Sequence, residues 1–231
     1  MGQPVLEASK LSKTFTSGPE RVAVFADLSV SLDRGQSLAL VGRSGSGKST
    51  LLNLFCGLEQ PDTGVITLLG ERFDAREGEA RKLREQRWAK LRLRRIGVVF
   101  QEANLMPALS LLDNVRLRAR LAGQSLEHCQ PWLERLGIGE LADRYPDQVS
   151  GGQRQRASLA MVFAMNPDVI LADEPTGSLD RRTAEEVTTE LFRLQAQTGV
   201  ALILATHDPE LAGQCQEILD LAHGEPAGQT P

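Results

Sequence analysis

Short apolar segments with strand character recur along the chain, and most of them are separated by stretches with apolar residues at helical spacing. Segments 169–172 and 201–205 are unbroken apolar runs, which are typical of parallel strands buried on both faces. The alternation of strands and helices predicts an α/β fold built on a parallel sheet. The predicted strands are 22–32, 37–41, 64–69, 96–100, 169–172 and 200–205.

The strand pattern disappears between residues 101 and 166, where segments 111–122 and 131–136 carry apolar residues at helical spacing. We therefore expect one domain with an inserted α-helical subdomain at about 101–166. Its nucleotide-binding core would comprise about 5–100 and 167–221. Residues 222–231 include two glycines and two prolines without periodicity, so we expect a flexible tail.

The composition is typical of a folded globular protein, with 41% hydrophobic and 24% charged residues among 231. The longest apolar run, 159–165, is far below the ~18 residues expected of a membrane span, and the start does not resemble a secretory signal. We expect a cytosolic protein. A net charge of −4 gives no general reason to expect nucleic-acid binding, and three scattered cysteines without CxxC spacing indicate neither a disulfide framework nor a zinc site.

Residues 42–49 match the pattern GxxxxGK[ST] between a predicted strand and a helix-like segment. In such a loop the glycines let backbone N–H groups converge on phosphate oxygens, a lysine neutralises the β and γ phosphates, and a hydroxyl binds Mg²⁺. The alternative is a glycine-rich turn that only starts a helix. The candidate ATP-binding residues are Gly42, Arg43, Ser44, Gly45, Ser46, Gly47, Lys48, Ser49 and Thr50, with Ser49 also a metal ligand.

A second apolar strand, 169–172, leads into two adjacent acids, Asp173 and Glu174. Asp173 at the strand end is the candidate Mg²⁺ ligand. Adjacent strand residues face opposite sides, so Glu174 reaches the site only if the chain leaves the strand there, before Pro175. It would then act as general base towards the attacking water. The alternative is a solvated acidic strand end.

Ser150-Gly151-Gly152-Gln153 resembles the signature motif of ABC ATPases. Gln101, Asp180 in Ser178-Leu179-Asp180, and His207 follow the order of motifs in that family, and the resemblance covers about 5–221. It implies a P-loop NTPase (RecA-like) core with a parallel sheet, an N-terminal antiparallel β subdomain and an inserted α-helical subdomain. It also implies a head-to-tail homodimer with two ATP at the interface, each held between residues 42–50 of one copy and Ser150, Gly151, Gly152 and Gln153 of the other.

The same resemblance implies roles for further residues. Gln101 would sense Mg²⁺ and the γ-phosphate as a metal-site residue, His207 would contact the γ-phosphate and position Glu174, and Asp180 would couple the two sites. Phe15 stands where the family places an aromatic ring against adenine, although the family usually has tyrosine and a phenylalanine there can instead pack inward. Val149 and Ser178 also depart from the usual residues.

The stretches 38–48, 97–101 and 172–180 are most similar to the lipoprotein-release and macrolide-export ATPases. This implies an ATPase that powers export or extraction through a separate integral membrane permease, at the cytoplasmic face of the cell membrane. The segment just past Gln101, with Leu105, Met106 and Pro107, is the expected docking site for that partner. The basic segment 81–95 is either a membrane-proximal helix or a solvated one.

Three other functions remain as alternatives. The first is the ATPase of a cell-division complex, to which the chain is less similar than to the lipoprotein-release and macrolide-export ATPases. A soluble, non-transport ABC ATPase is a second alternative. Its DNA-repair and translation types are disfavoured, since only about a hundred residues separate the P-loop from the signature motif and one ATPase unit is present, but these features leave an iron–sulfur assembly role open. A P-loop kinase or GTPase would give the signature motif and His207 no role.

Overall fold

The computed structural model describes residues 3–17, 20–76, 80–221 and 225–226. In chain order its strands are β1 (Leu6–Ser17), β2 (Glu20–Leu32), β3 (Ser37–Val41), β4 (Thr63–Leu68), β5 (Glu71–Asp74), β6 (Ile96–Val99), β7 (Val169–Asp173), β8 (Ala201–Ala205), β9 (Glu217–Asp220) and β10 (Glu225–Pro226). Its α-helices are α1 (Lys48–Phe55), α2 (Arg81–Arg94), α3 (Leu111–Ala122), α4 (Cys129–Arg135), α5 (Gly151–Ala164), α6 (Arg181–Thr198) and α7 (Pro209–Ala212).

The chain divides into two compact units, one formed by Met1–Ala89 with Ala201–Pro231 and the other by Lys90–Val200. The second unit contains the predicted helical segment 101–166 together with β6, β7 and α6. All of 101–166 is described, and none of it is strand. Most of the expected tail lies outside the described residues, but the backbone of β10 pairs antiparallel with β9.

The first unit contains two kinds of sheet. An antiparallel sheet has the strand order β2-β1-β4-β5, and β3 pairs in parallel with β8 on one side and β9 on the other. Helix α1 buries Leu51, Leu54 and Phe55 completely, which fixes the helix that follows β3. Both the parallel strands and the N-terminal antiparallel sheet confirm the expected fold class.

In the second unit, β6 and β7 pair in parallel, with Val99 opposite Ala172. Helix α5 lies at the centre of the helical region and contacts α3, α4 and α6. Its Ala157, Leu159 and Ala160 are fully buried, so the small and large side chains needed for close helix packing are present. No helix among the described residues is long and apolar enough to cross a membrane.

Candidate functional site

The loop between β3 and α1 has the geometry of a phosphate-binding turn. Gly47 occupies the N-cap position with φ 97°, and no side chain caps the helix there. The first N–H groups of α1 are therefore not engaged by a capping side chain, and the positive end of the helix dipole points into the loop. This arrangement favours an anion.

Three further features of this loop depend on particular residues. A Cβ at position 47 would lie 2.2 Å from Val24 Cγ1, so only glycine fits there. The Lys48 side chain is buried, and its Nζ donates to the carbonyl oxygens of Gly42 (2.8 Å) and Arg43 (3.3 Å). The Ser46 Oγ is buried without a hydrogen-bond partner in the described part of the chain. The loop thus places an ammonium group and an unsatisfied hydroxyl beside the helix start.

Parallel pairing brings His207 to the same sheet edge as this loop. Leu40 of β3 lies opposite Ala205 of β8, and Thr206 N donates to Leu40 O at 3.1 Å. His207 is exposed and immediately follows Thr206, whose Oγ1 accepts from Asp208 N at 3.0 Å. The carboxyl ends of adjacent parallel strands form the usual ligand-binding edge of an α/β sheet.

The Phe15 ring does not pack inward, since it is 41% exposed. It lies opposite Val22 in the β1–β2 pair, and the Lys13 ammonium is 4.9 Å from its centroid. Val24, also on β2, is the residue that limits position 47 to glycine. Phe15 thus pairs with β2, the strand that approaches position 47.

In the second unit, the parallel strands β6 and β7 end at the same edge of the sheet. Gln101, Asp173 and Glu174 lie at or just after these strand ends. Strand β7 ends at Asp173, and Glu174 adopts φ 44°, in the left-handed region that non-glycine residues rarely occupy. The chain therefore leaves the strand at Glu174. Such strain persists where the surroundings hold it in place, and it is concentrated at functional sites.

The Ser150–Gln153 segment forms the start of helix α5. Ser150 Oγ accepts from Gln153 N at 3.3 Å, and Gln153 Oε1 accepts from Ser150 N at 2.9 Å. This reciprocal capping box fixes the first turn and leaves the other N–H groups of the turn directed outward along the helix axis. The Ser150 side chain is exposed and that of Gln153 is partly exposed, so both are accessible to an anion.

The segment 177–183 joins the signature motif to Gln101. Ser178 Oγ donates to Gln101 O at 3.1 Å, and a Cβ at Gly177 would lie 3.0 Å from Gln101 Nε2. On the other side, a Cβ at Gly151 would lie 3.4 Å from Leu179 Cδ2. Within this unit, a continuous set of contacts therefore connects the two candidate motifs.

Asp180 belongs to the same set through Thr183. Thr183 donates to Asp180 from its hydroxyl (2.7 Å) and its backbone N–H (3.1 Å), and these bonds lower the pKa of the Asp180 carboxyl. A Cβ at Gly152 would lie only 2.2 Å from Thr183 Cγ2. Sequence analysis missed Thr183, because an Asp-x-x-Thr spacing indicates a helix cap but not a contact with a distant loop.

The structure thus assembles the predicted residues in two groups. Phe15, the loop 42–50 and His207 lie in the first unit, whereas Gln101, Ser150–Gln153, Asp173, Glu174 and Asp180 lie in the second. Among the described residues, no cluster of three or more His, Cys, Asp or Glu side chains is placed to hold a metal ion.

A family model described as ABC transporter matches residues 25–177 of the chain. The chain belongs to the ABC transporter family. It is the ATP-binding subunit type of that family and an ATPase. The expected family is confirmed.

Two relatives match nearly the whole chain. The Escherichia coli (strain K12) "uncharacterized ABC transporter ATP-binding protein YbbA" is 40% identical over 225 residues, covering 96% of each protein. The "lipoprotein-releasing system ATP-binding protein LolD" of Bordetella pertussis is 39% identical over 225 residues, covering 96% of this chain and 94% of that protein.

Solved structures of ABC cassettes share the fold. The dimeric post-hydrolysis state of the cassette MJ0796, bound to ADP and Pi, superposes with a TM-score of 0.82 at 29% identity and covers 97% of both chains. CbiO1 of Clostridium perfringens, part of the cbiONQ transporter complex, gives a TM-score of 0.81 at 26% identity, over 99% of this chain and 88% of that chain.

Proposed function

We propose that this ABC ATPase is the motor subunit of a membrane complex of the lipoprotein-release and macrolide-export type. It powers export or extraction of a substrate through a separate membrane permease, at the cytoplasmic face of the membrane. The observation that carries the proposal is the pair of helix starts prepared for anions, at Gly47 and at Ser150, in a chain 39% identical to a lipoprotein-releasing ATPase over nearly its whole length.

Residues 42–50 hold the phosphates of ATP in this proposal. The backbone N–H groups at the start of α1 and the Lys48 ammonium neutralise the β and γ phosphates. The Lys48 ammonium donates to Gly42 O and Arg43 O. Phosphate oxygens of the ligand can replace these two carbonyl oxygens as acceptors. Phe15 offers its exposed ring to the adenine.

Glu174 is the proposed general base for in-line attack of water on the γ-phosphate, with His207 and Gln101 positioning the reacting groups. Hydrolysis cleaves the bond between the γ-phosphorus and the bridging oxygen, the water oxygen joins phosphorus, and its proton passes to the Glu174 carboxylate. The left-handed backbone at Glu174 supports this role, because it turns a side chain adjacent to Asp173 out of the strand alternation.

The donor set fits Mg²⁺, which prefers oxygen ligands and usually retains bonds to substrate phosphates. The exposed Ser49 hydroxyl, the Asp173 carboxylate and the Gln101 amide oxygen are the residues that would hold it. When bound, the ion would neutralise charge on the β and γ phosphate oxygens.

A homodimer completes the site in this proposal. The dimeric cassette structure of a 29% identical relative contains ADP and Pi, and the capping box of α5 presents Ser150 and N–H groups as a second phosphate site. Each ATP then contacts the α1 loop of one copy and the α5 start of the other. Asp180, held by Thr183, lies on the segment that links the signature motif to Gln101.

The proposed permease contact is the segment that follows Gln101. The fully buried Asn114 side chain accepts from Met106 N (2.7 Å) and donates to the carbonyl oxygens of Met106, Leu109 and Ser110. The segment is thereby held rigid while the Met106 side chain stays 51% exposed. A rigid loop with an exposed apolar side chain suits a stable contact with another protein.

The proposal is tested with Glu174→Gln, which should bind ATP, lose nearly all turnover and trap the dimer. The trapped protein, loaded with ATP and Mg²⁺, is used to capture partners from detergent-solubilised membranes of the native cell for mass spectrometry. Glu174→Gln/Met106→Asp is the matched control, because an exposed side chain can be changed without disturbing the core.

A multi-span protein with a large extracytoplasmic domain, captured by Glu174→Gln and lost with the added Met106→Asp, supports the proposal. Capture of soluble proteins or ribosomes alone refutes the transport role and leaves the ATPase intact. Normal turnover by Glu174→Gln contradicts the base assignment, and a strong preference for GTP without an ATP-dependent dimer contradicts the site itself.

A further inference from the structure

Helix α2 carries a high density of positive charge that has no part in the proposed catalytic role. Residues 81–95 contain eight basic residues and one acidic residue, whereas the other 216 residues contain 18 basic and 29 acidic ones. An acidic protein with one strongly basic segment has a locally attractive surface for anions.

The helix buries only a narrow stripe, formed by Arg84, Trp88 and Leu91. Trp88 stacks on Phe73 at a centroid distance of 3.9 Å, and Arg84 Nη2 donates to Asp74 O at 2.7 Å. These contacts hold residues 81–89 of the helix against the first unit, and the side chains opposite the buried stripe are exposed.

The outward face combines cations with apolar side chains. Lys82, Lys90 and Arg94 are exposed, and between them Leu83 and Leu93 expose 52% and 37% of their surface. Exposed leucines beside lysine and arginine are the side chains with which interfacial helices contact a bilayer, the leucines entering the acyl boundary and the cations meeting headgroups.

Helix stability accounts for the basic residues Arg92 and Arg94 in the last turn of α2, but not for those in its first turn. The first turn of α2 contains basic side chains and no acidic one, although the positive end of the helix dipole favours the opposite. The same cations gain from a negatively charged surface, because each Lys or Arg near an anionic leaflet improves binding by about fivefold.

We propose that the exposed face of α2 binds anionic lipid headgroups at the membrane surface. A lipid surface fits both kinds of side chain on this face. The headgroup phosphates can pair with the cations, and the adjacent acyl chains can contact Leu83 and Leu93. This contact would hold the ATPase against the bilayer independently of the permease. The inference does not depend on the proposed transport role, because it concerns the isolated chain.

The test is co-flotation of the full-length protein with vesicles of phosphatidylcholine alone or with 30% phosphatidylglycerol, at low and high salt. The variant Lys82→Glu/Lys90→Glu/Arg94→Glu reverses three exposed charges on α2. The control Lys10→Glu/Arg21→Glu/Arg144→Glu makes the same change in net charge at exposed positions elsewhere. ATP binding is measured on every sample.

We expect salt-sensitive binding to the anionic vesicles only, at least tenfold weaker for the α2 variant and changed less than threefold for the control. Leu83→Ser/Leu93→Ser should weaken vesicle binding but not binding to free inorganic phosphate. Equal losses in both triple variants, no flotation of the wild type, or tighter binding to single-stranded RNA than to vesicles would overturn the proposal. Normal ATP binding in the α2 variant shows that any failure concerns the lipid contact alone.

Discussion

Gly152→Ala should destabilise the second unit by forcing the start of α5 away from α6. The added Cβ would lie 2.2 Å from Thr183 Cγ2, whereas carbon atoms in contact prefer about 3.5–4.0 Å. Overpacking of this kind costs roughly 1–3 kcal/mol, and the better helix propensity of alanine offsets at most about 1 kcal/mol. We therefore expect a net loss of about 1–2 kcal/mol in the free energy of unfolding.

Thr183→Ser supplies the compensating change, since it removes Cγ2 but keeps the hydroxyl that donates to Asp180. Alone it should cost less than about 1 kcal/mol, the value of one buried methyl group. Combined with Gly152→Ala it should recover more than about 1 kcal/mol relative to the sum of the single changes, which a double-mutant cycle measures directly.

The assay is urea unfolding followed by circular dichroism and tryptophan fluorescence, where Trp132 stacks on Phe163 of α5 at 5.5 Å. Gly151→Ala is the matched control, because its Cβ would meet Leu179 Cδ2 at 3.4 Å, an ordinary contact. ATP-dependent dimerisation should fall in Gly152→Ala and recover in the double variant. A Gly152→Ala protein as stable as Gly151→Ala, with no coupling to Thr183→Ser, would refute the reasoning.

Three further predictions concern other parts of the molecule. Asp168→Asn should lower the free energy of unfolding by about 1–3 kcal/mol without changing ATP affinity. The reason is that the buried Asp168 carboxylate, at the start of β7, pairs with Arg95. Unchanged urea midpoints would contradict this. Burial raises the pKa of the Cys215 thiol from near 9 to about 11, so maleimide at pH 8 should label it far more slowly in folded than in urea-unfolded protein, by intact mass. Since folding then favours the neutral thiol, stability should fall as pH rises from about 9 to about 11. Phe15→Ala should weaken binding of a fluorescent ATP analogue by about tenfold while Phe15→Tyr restores it, as aromatic stacking on a base predicts; equal affinities would exclude stacking.

Local chemistry made much of the site predictable. The phosphate loop before α1 could be predicted because its glycines and lysine directly follow the apolar strand β3. The acidic pair could be predicted in the same way, because it stands at the end of the apolar strand β7. Their positions follow from the residues themselves. The helical region 101–166 was predicted from apolar spacing for the same reason.

Strand β1 was not predicted, because its sequence is largely polar and its alternation is interrupted. Lys10 adopts φ 51°, and the register with β2 shifts between Ala8 and Leu11 and again around Lys13. Each irregularity moves the following side chains to the other face, so no period-2 pattern extends through the strand. The contact between Thr183 and Gly152 was missed because it depends on helix packing, which sequence spacing does not describe.

The backbone at Glu174 has a consequence for engineering. A carboxylate residue held at φ 44° reduces native stability by roughly 1–3 kcal/mol, and glycine at that position would remove the penalty. A thermostability screen without an activity selection would therefore favour replacing the proposed catalytic base. The position illustrates the exchange of stability for activity at functional sites, and efforts to obtain a heat-resistant ATPase should keep it fixed.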